Sequence, residues 1–152
     1  LPDLTIRRLT THPHVDTFPR ISPDGTQIVF ARSREPWVSQ RNPLPWSIYR
    51  LNMETGEEVL VSDNGNTPTW SEDGRSVYFQ RDGGAFVAHD LATGRETLLF
   101  TSGQGQIPPS VDLQTPSFSE RRQAMAVTFR GAKRATVVVP RDGAPRFAGG
   151  GC

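Results

Sequence analysis

Phe18-Pro19-Arg20-Ile21-Ser22-Pro23-Asp24-Gly25 returns as Thr67-Pro68-Thr69-Trp70-Ser71-Glu72-Asp73-Gly74, and more loosely as Thr115-Pro116-Ser117-Phe118-Ser119-Glu120-Arg121-Arg122. The three prolines at 19, 68 and 116 are 49 and 48 residues apart, a spacing hard to obtain by chance. A period of several tens of residues marks a repeat architecture, in which each unit is one small piece of supersecondary structure.

Working outward, a short run rich in β-branched and aromatic residues follows each copy: Gln27 to Ala31, Ser76 to Gln80 and Gln123 to Phe129. A second run comes at Ser47 to Leu51, Ala85 to Asp90 and Ala135 to Val139. A polar turn ending in Gly56, Gly94 or Gly143 then leads to a third run, as in Glu58 to Val61 and Glu96 to Phe100. Counting the strand at each Pro, every unit supplies four. Within the quoted motif Pro presets φ, Asp bonds its own backbone nearby, and Gly accepts the left-handed conformation of a tight hairpin. The motif therefore reads as a turn and not as a phosphate loop. Ile21, Trp70 and Phe118 sit just before it, where a large apolar side chain is expected to wedge between neighbouring sheets. No apolar stripe of helical period appears. The expected fold is all-β: a partial propeller of about three four-stranded antiparallel blades.

Pro-x-aromatic-Ser-Pro-Asp-Gly, then a strand ending in Phe, then Ile-Tyr-x-x-Asn-x-x-Thr-Gly, resembles the TolB-type, WD-like β-propeller repeat. Pro19 to Phe30 with Ile48 to Gly56 carry the resemblance, as do Pro68 to Phe79 with Phe86 to Gly94. The third unit departs from it, with Arg121-Arg122 in place of Asp-Gly. The expected divisions are 1–15 as a strand of a preceding or closing blade, 16–62 as the first blade with an insertion at 32–46, and 63–101 as the second. An insertion at 102–114 and a third blade at 115–152 follow. Leu4 to Thr10 reads like the outermost strand of another blade. Three units fall short of the roughly 190 residues of a four-bladed ring, so the chain is expected to be a piece of a larger propeller or a half ring that pairs. Leu1, which is not a start methionine, fits trimming at the front.

Composition excludes some classes. With 17 Lys+Arg against 16 Asp+Glu the formal charge is +1, which provides no broad footprint for nucleic acid. No apolar run approaches the roughly 20 residues of a membrane helix. The single cysteine, Cys152, excludes an internal disulfide and a cysteine metal cluster. The repeated serines Ser22, Ser71 and Ser119 read as turn residues, and no Gly-x-Ser-x-Gly elbow occurs. His12 and His14 share a face of an extended segment, but no third ligand is evident, and His89 stands alone in a strand. No catalytic residue, cofactor or metal site is expected.

The insertions are the places to look for function, because insertions in repeat folds emerge as loops where partners bind. The first contains Trp37 and Trp46 with Arg34 and Arg41 beside them, residue types that dominate interface hot spots. Against this stands a small satellite core of both rings beneath the loop. Asp16 and Asp112 precede their prolines on the innermost strand or its approach, where carboxylates can face a central tunnel and meet a cation or a basic peptide end. Solvated loop aspartates are the plainer reading. The leading expectation is a non-catalytic binding scaffold whose partner is a protein or the remaining blades in the same or another chain. The resemblance also extends to the propellers of prolyl-oligopeptidase-type serine peptidases, whose hydrolase domain would lie outside these residues. A propeller segment in an extracellular or redox assembly is a third reading. The resemblance implies an exported, periplasmic or extracellular bacterial setting.

Overall fold

The computed structural model describes residues 5–36, 46–81, 84–101, 112–130, 134–140 and 146–147. They form strands and no helix. β1 (Asp16–Ile21), β2 (Gln27–Ser33), β3 (Trp46–Asn52) and β4 (Glu58–Ser62) make the first sheet. β5 (Asn66–Trp70), β6 (Ser76–Arg81), β7 (Ala85–Asp90) and β8 (Glu96–Thr101) make the second. β9 (Asp112–Ser119), β10 (Ala124–Arg130), β11 (Arg134–Pro140) and β12 (Arg146–Phe147) make the third. Each sheet pairs its strands antiparallel in chain order.

Local chemistry explains the hairpins. Ser22 Oγ donates to Asp24 Oδ1 (2.6 Å) and accepts from the Gln27 amide (2.9 Å), while Asp24 Oδ1 accepts from the Thr26 amide (3.0 Å). Ser71, Asp73, Arg75 and Ser76 repeat that network. Gly25 and Gly74 sit at φ 75° and 71°, where a Cβ is disfavoured. In the third unit the turn slips by one residue: Gln123, at φ 46°, donates its amide to the Glu120 carbonyl as Gly74 does to Ser71. A non-glycine residue thus occupies the left-handed position.

The apolar core lies between sheets. Val29, Ala31, Ile48 and Val61 of the first sheet bury against Val77, Phe79 and Val87 of the second, with Trp46, Trp70 and Leu91 closing the margin. Tyr78, Phe86, Leu99 and Phe100 on the opposite face of the second sheet bury against Met125 and Phe118 of the third. Alternation along each strand makes this stacking possible, since successive residues serve opposite interfaces. The repeated corners touch as well: Trp70 Nε1 donates to the Arg20 carbonyl (2.9 Å), and Glu120 Oε1 accepts from the Glu72 amide (2.6 Å) and the Tyr78 hydroxyl (2.8 Å).

The ladders set the following bounds beside the expected divisions. Among the described residues, 5–12 form no strand, although Leu4 to Thr10 has a strand's composition. The first insertion is shorter than 32–46, because Arg32 pairs with Ser47 and Ser33 with Trp46. The second is shorter than 102–114, because β9 starts at Asp112. Trp70 and Phe118 wedge between sheets as expected, whereas Ile21 is 64% exposed, with no sheet of the described residues against its face.

Candidate functional site

Antiparallel order places the start of the first and third strands, and the end of the second and fourth, at one end of every sheet. The connections 34–45, 63–65, 82–84, 102–111 and 131–133 all leave from that end. Among the described residues, the opposite end carries the tight turns after Ile21, Asn52, Trp70, Asp90 and Ser119. Both insertions singled out in the sequence therefore arise on the same face of the molecule, as do the first residues of β1 and β9.

The candidate residues divide on this face. Asp16 does not point to a free ligand position: its carboxylate takes Arg32 Nε (2.6 Å) and Nη2 (2.9 Å), and Arg32 also reaches Glu58 (2.6 Å and 3.1 Å). The bonds to Asp16, with Glu58 adding to them, outweigh burial and push the guanidinium above the ordinary arginine range. The guanidinium lies over Phe30 and Tyr49, 5.1 Å and 4.9 Å from their centroids. Trp46 packs at the margin of the core from the first ladder position of β3. Arg34 is exposed, one residue beyond β2, with Nε 3.4 Å from Ser47 Oγ. Trp37 and Arg41 lie outside the described residues. Asp112 is placed through its backbone, opposite Arg130 in the ladder.

The same end holds features the motifs did not reveal. Arg81, the repeat equivalent of Arg32, pairs with Glu96 (2.5 Å and 2.8 Å), lies over Phe79, and crosses to Ser62 Oγ and the Asn64 carbonyl of the preceding sheet. Burial works against ionised Glu96, but Arg81 and His89 prevail and hold its carboxyl below the ordinary range. Phe18 and Thr67, each just before its proline, adopt φ 52° and 47° beside a bulge in the first strand of their sheets. Such strain in an aromatic and a β-branched residue re-aims the strand. Thr67 Oγ1 is buried without a hydrogen-bond partner. The signal was the residue before each proline, readable only once the bulge is known.

His14 Nδ1 lies 2.8 Å from the Ser33 carbonyl, which only accepts, so this nitrogen carries the proton; His12 Nδ1 accepts from the His14 amide. Among the described residues no group of three or more His, Cys, Asp or Glu side chains is placed to hold a metal ion. A shallow cleft of about 440 Å³ at the opposite end is lined by Ser76, Ala88, Asp90, Thr93, Arg95 and Thr97. Its carboxylate is engaged in the turn, where Asp90 Oδ1 accepts from Ala92 and Thr93.

No protein-family model matches the chain, and no curated protein shows significant sequence similarity to it. Among solved structures it is similar to TolB from Acinetobacter baumannii, with a TM-score of 0.62 and 18% identity over 86% of this chain and 31% of that one. The fold is that of a TolB-type β-propeller. Oligogalacturonate lyase from Vibrio parahaemolyticus is also similar, with a TM-score of 0.54 and 14% identity over 93% of this chain and 37% of that one. The chain thus spans about a third of the length of these two proteins. Identities this low carry the architecture and not the activity. Among the described residues no helix is long and apolar enough to cross a membrane.

Proposed function

We propose that this TolB-type propeller segment is a non-catalytic binding scaffold that holds a protein partner at the end from which its long connections emerge. The observation that carries the reading is the asymmetry of the two ends: among the described residues one carries short turns, three of them locked by Asp24, Asp73 and Asp90, and the strand ends that bound both long connections lie at the other. Partner sites favour variable loops set on a rigid frame. Arg34, with Trp37 and Arg41 in the same connection, supplies residue types suited to an interface anchor. Asp16 serves by neutralising Arg32 at the base of that connection, and Asp112 begins β9 at the end of the other. No cofactor, nucleic acid or membrane span enters this reading, and an exported, periplasmic or extracellular setting suits it.

Cross-linking mass spectrometry in an extract of the source cells tests it. Arg34→Glu with Trp37→Ala should abolish the partner seen with the native chain, while Arg75→Glu at the turn end should leave it in place. Equal capture by all three would refute the scaffold. The likeness to oligogalacturonate lyase supports a second reading, the propeller part of an enzyme; cleavage of oligogalacturonate by the longer protein would favour it.

A further inference from the structure

Asn64-Gly65 is the one Asn-Gly pair in the sequence, and it lies in the connection 63–65 that joins the first sheet to the second. Such a pair is prone to lose its side-chain amide, because a residue without a Cβ leaves its own nitrogen free to reach the preceding side chain. In the folded chain that reach is blocked. Gly65 is buried, its amide donates to the Trp46 carbonyl (3.0 Å), and a Cβ there would lie 2.5 Å from Phe79 Cδ2 and 3.0 Å from Ile48 Cγ1. The neighbouring main chain is tied as closely. Ser62 Oγ accepts from the Asn64 amide (3.3 Å) and donates to the Asn64 carbonyl (3.1 Å). Arg81 Nε donates to the same carbonyl (3.3 Å), and Ser47 Oγ to that of Asp63 (3.3 Å).

The geometry points to Asn64 as a latent modification site: its carboxamide becomes a carboxylate, through a cyclic imide and with water as co-reactant, only when the first and second sheets part at this junction. The Gly65 nitrogen gives its proton to solvent base and bonds to Asn64 Cγ. The Cγ–Nδ2 bond then breaks and ammonia leaves. Water adds to either imide carbonyl. Cleavage between the nitrogen and Cγ yields aspartate, and cleavage between the nitrogen and the main-chain carbonyl carbon yields isoaspartate. Water enters, ammonia departs, and nothing is oxidised or reduced. The first step is closed to the folded state, because the Trp46 carbonyl holds the Gly65 N–H while Phe79 and Ile48 pin its α-carbon.

The two products differ on reclosing. Aspartate leaves the main chain as it was. Isoaspartate routes the chain through the side-chain methylene and lengthens it immediately before Gly65, where Phe79 and Ile48 leave no spare volume. A junction that has stayed open long enough to react therefore reseats badly in the isoaspartate form, and the change is a permanent record of opening. Its rate follows the population of the locally open state.

Peptide mapping by mass spectrometry of the full-length protein, held at mildly alkaline pH with and without concentrated urea, tests the inference. Conversion at Asn64 should be at least about tenfold slower in the folded protein than in urea, since only the open fraction reacts. Arg81→Ala and, as a milder cut at the same bonds, Ser62→Ala should each speed conversion in the folded protein, with a native circular dichroism spectrum. Leu98→Ala, at an exposed position of β8, should leave the rate unchanged. When urea is removed after partial conversion, isoaspartate chains should be enriched in the fraction that fails to refold. Equal rates with and without urea, no acceleration in either variant, or isoaspartate spread evenly between the refolded and unfolded fractions would each overturn it.

Discussion

Gly65→Ala is expected to destabilise this protein through one contact. Gly65, just before β5, donates its amide to the Trp46 carbonyl (3.0 Å), which fixes its backbone against the first sheet. A Cβ built there lies 2.5 Å from Phe79 Cδ2, 3.0 Å from Phe79 Cε2 and 3.0 Å from Ile48 Cγ1. Phe79 and Ile48 are both fully buried, so neither can swing into solvent. Forcing one carbon into such packing costs about 2–3 kcal/mol. Phe79→Leu alone should cost about 1.5 kcal/mol, and in that background the added methyl should cost under about 1 kcal/mol because the ring edge is gone. The double variant should therefore be more stable than the sum of the singles predicts by at least about 1 kcal/mol, well beyond the ~0.5 kcal/mol scatter of independent sites. Urea unfolding, with midpoint and slope compared across the four proteins, measures the cycle. Additive costs, or a Gly65→Ala protein as stable as the native one, would refute the assignment of the clash.

Acid should weaken the turn end. Hydrogen bonds hold the carboxyls of Asp24, Asp73 and Asp90 below their ordinary value, chiefly from Ser22 in the first, the Arg75 amide in the second and the Thr93 amide in the third. A depressed folded-state pKa means stability that is present above the unfolded value near 4 and lost as pH falls through the lower folded value. Urea midpoints measured from pH 7 to 2.5 should fall less in the Asp24→Asn, Asp73→Asn, Asp90→Asn triple variant; equal falls would contradict this. Gln123→Gly should raise stability by about 1 kcal/mol, since glycine relieves a left-handed conformation that costs roughly that much in a residue with a Cβ. A thermal melt would detect it, and no gain would mean that the turn relaxes by other means.

Architecture was legible in the chain itself because a turn motif is local chemistry. Ser-Pro-Asp-Gly closes its hairpin with bonds spanning at most five residues, so its recurrence could be counted without knowing what the strands meet. The run from Gln27 to Ala31, rich in β-branched and aromatic residues, likewise announced a strand. What each face meets was decided only in three dimensions. Ile21 and Trp70 occupy one repeat position, yet one is exposed and the other is bonded to a neighbouring sheet. Asp16 and Gly65 also correspond; the first grips Arg32 on an open face, while the second must be glycine because Phe79 and Ile48 close over it. Strand-forming pattern depends on neighbours a few residues away, which the sequence by itself determined. Exposure, charge pairing and the gathering of both long connections at one end depend on residues 16 to 50 positions distant, and these only the stacking of the sheets decided.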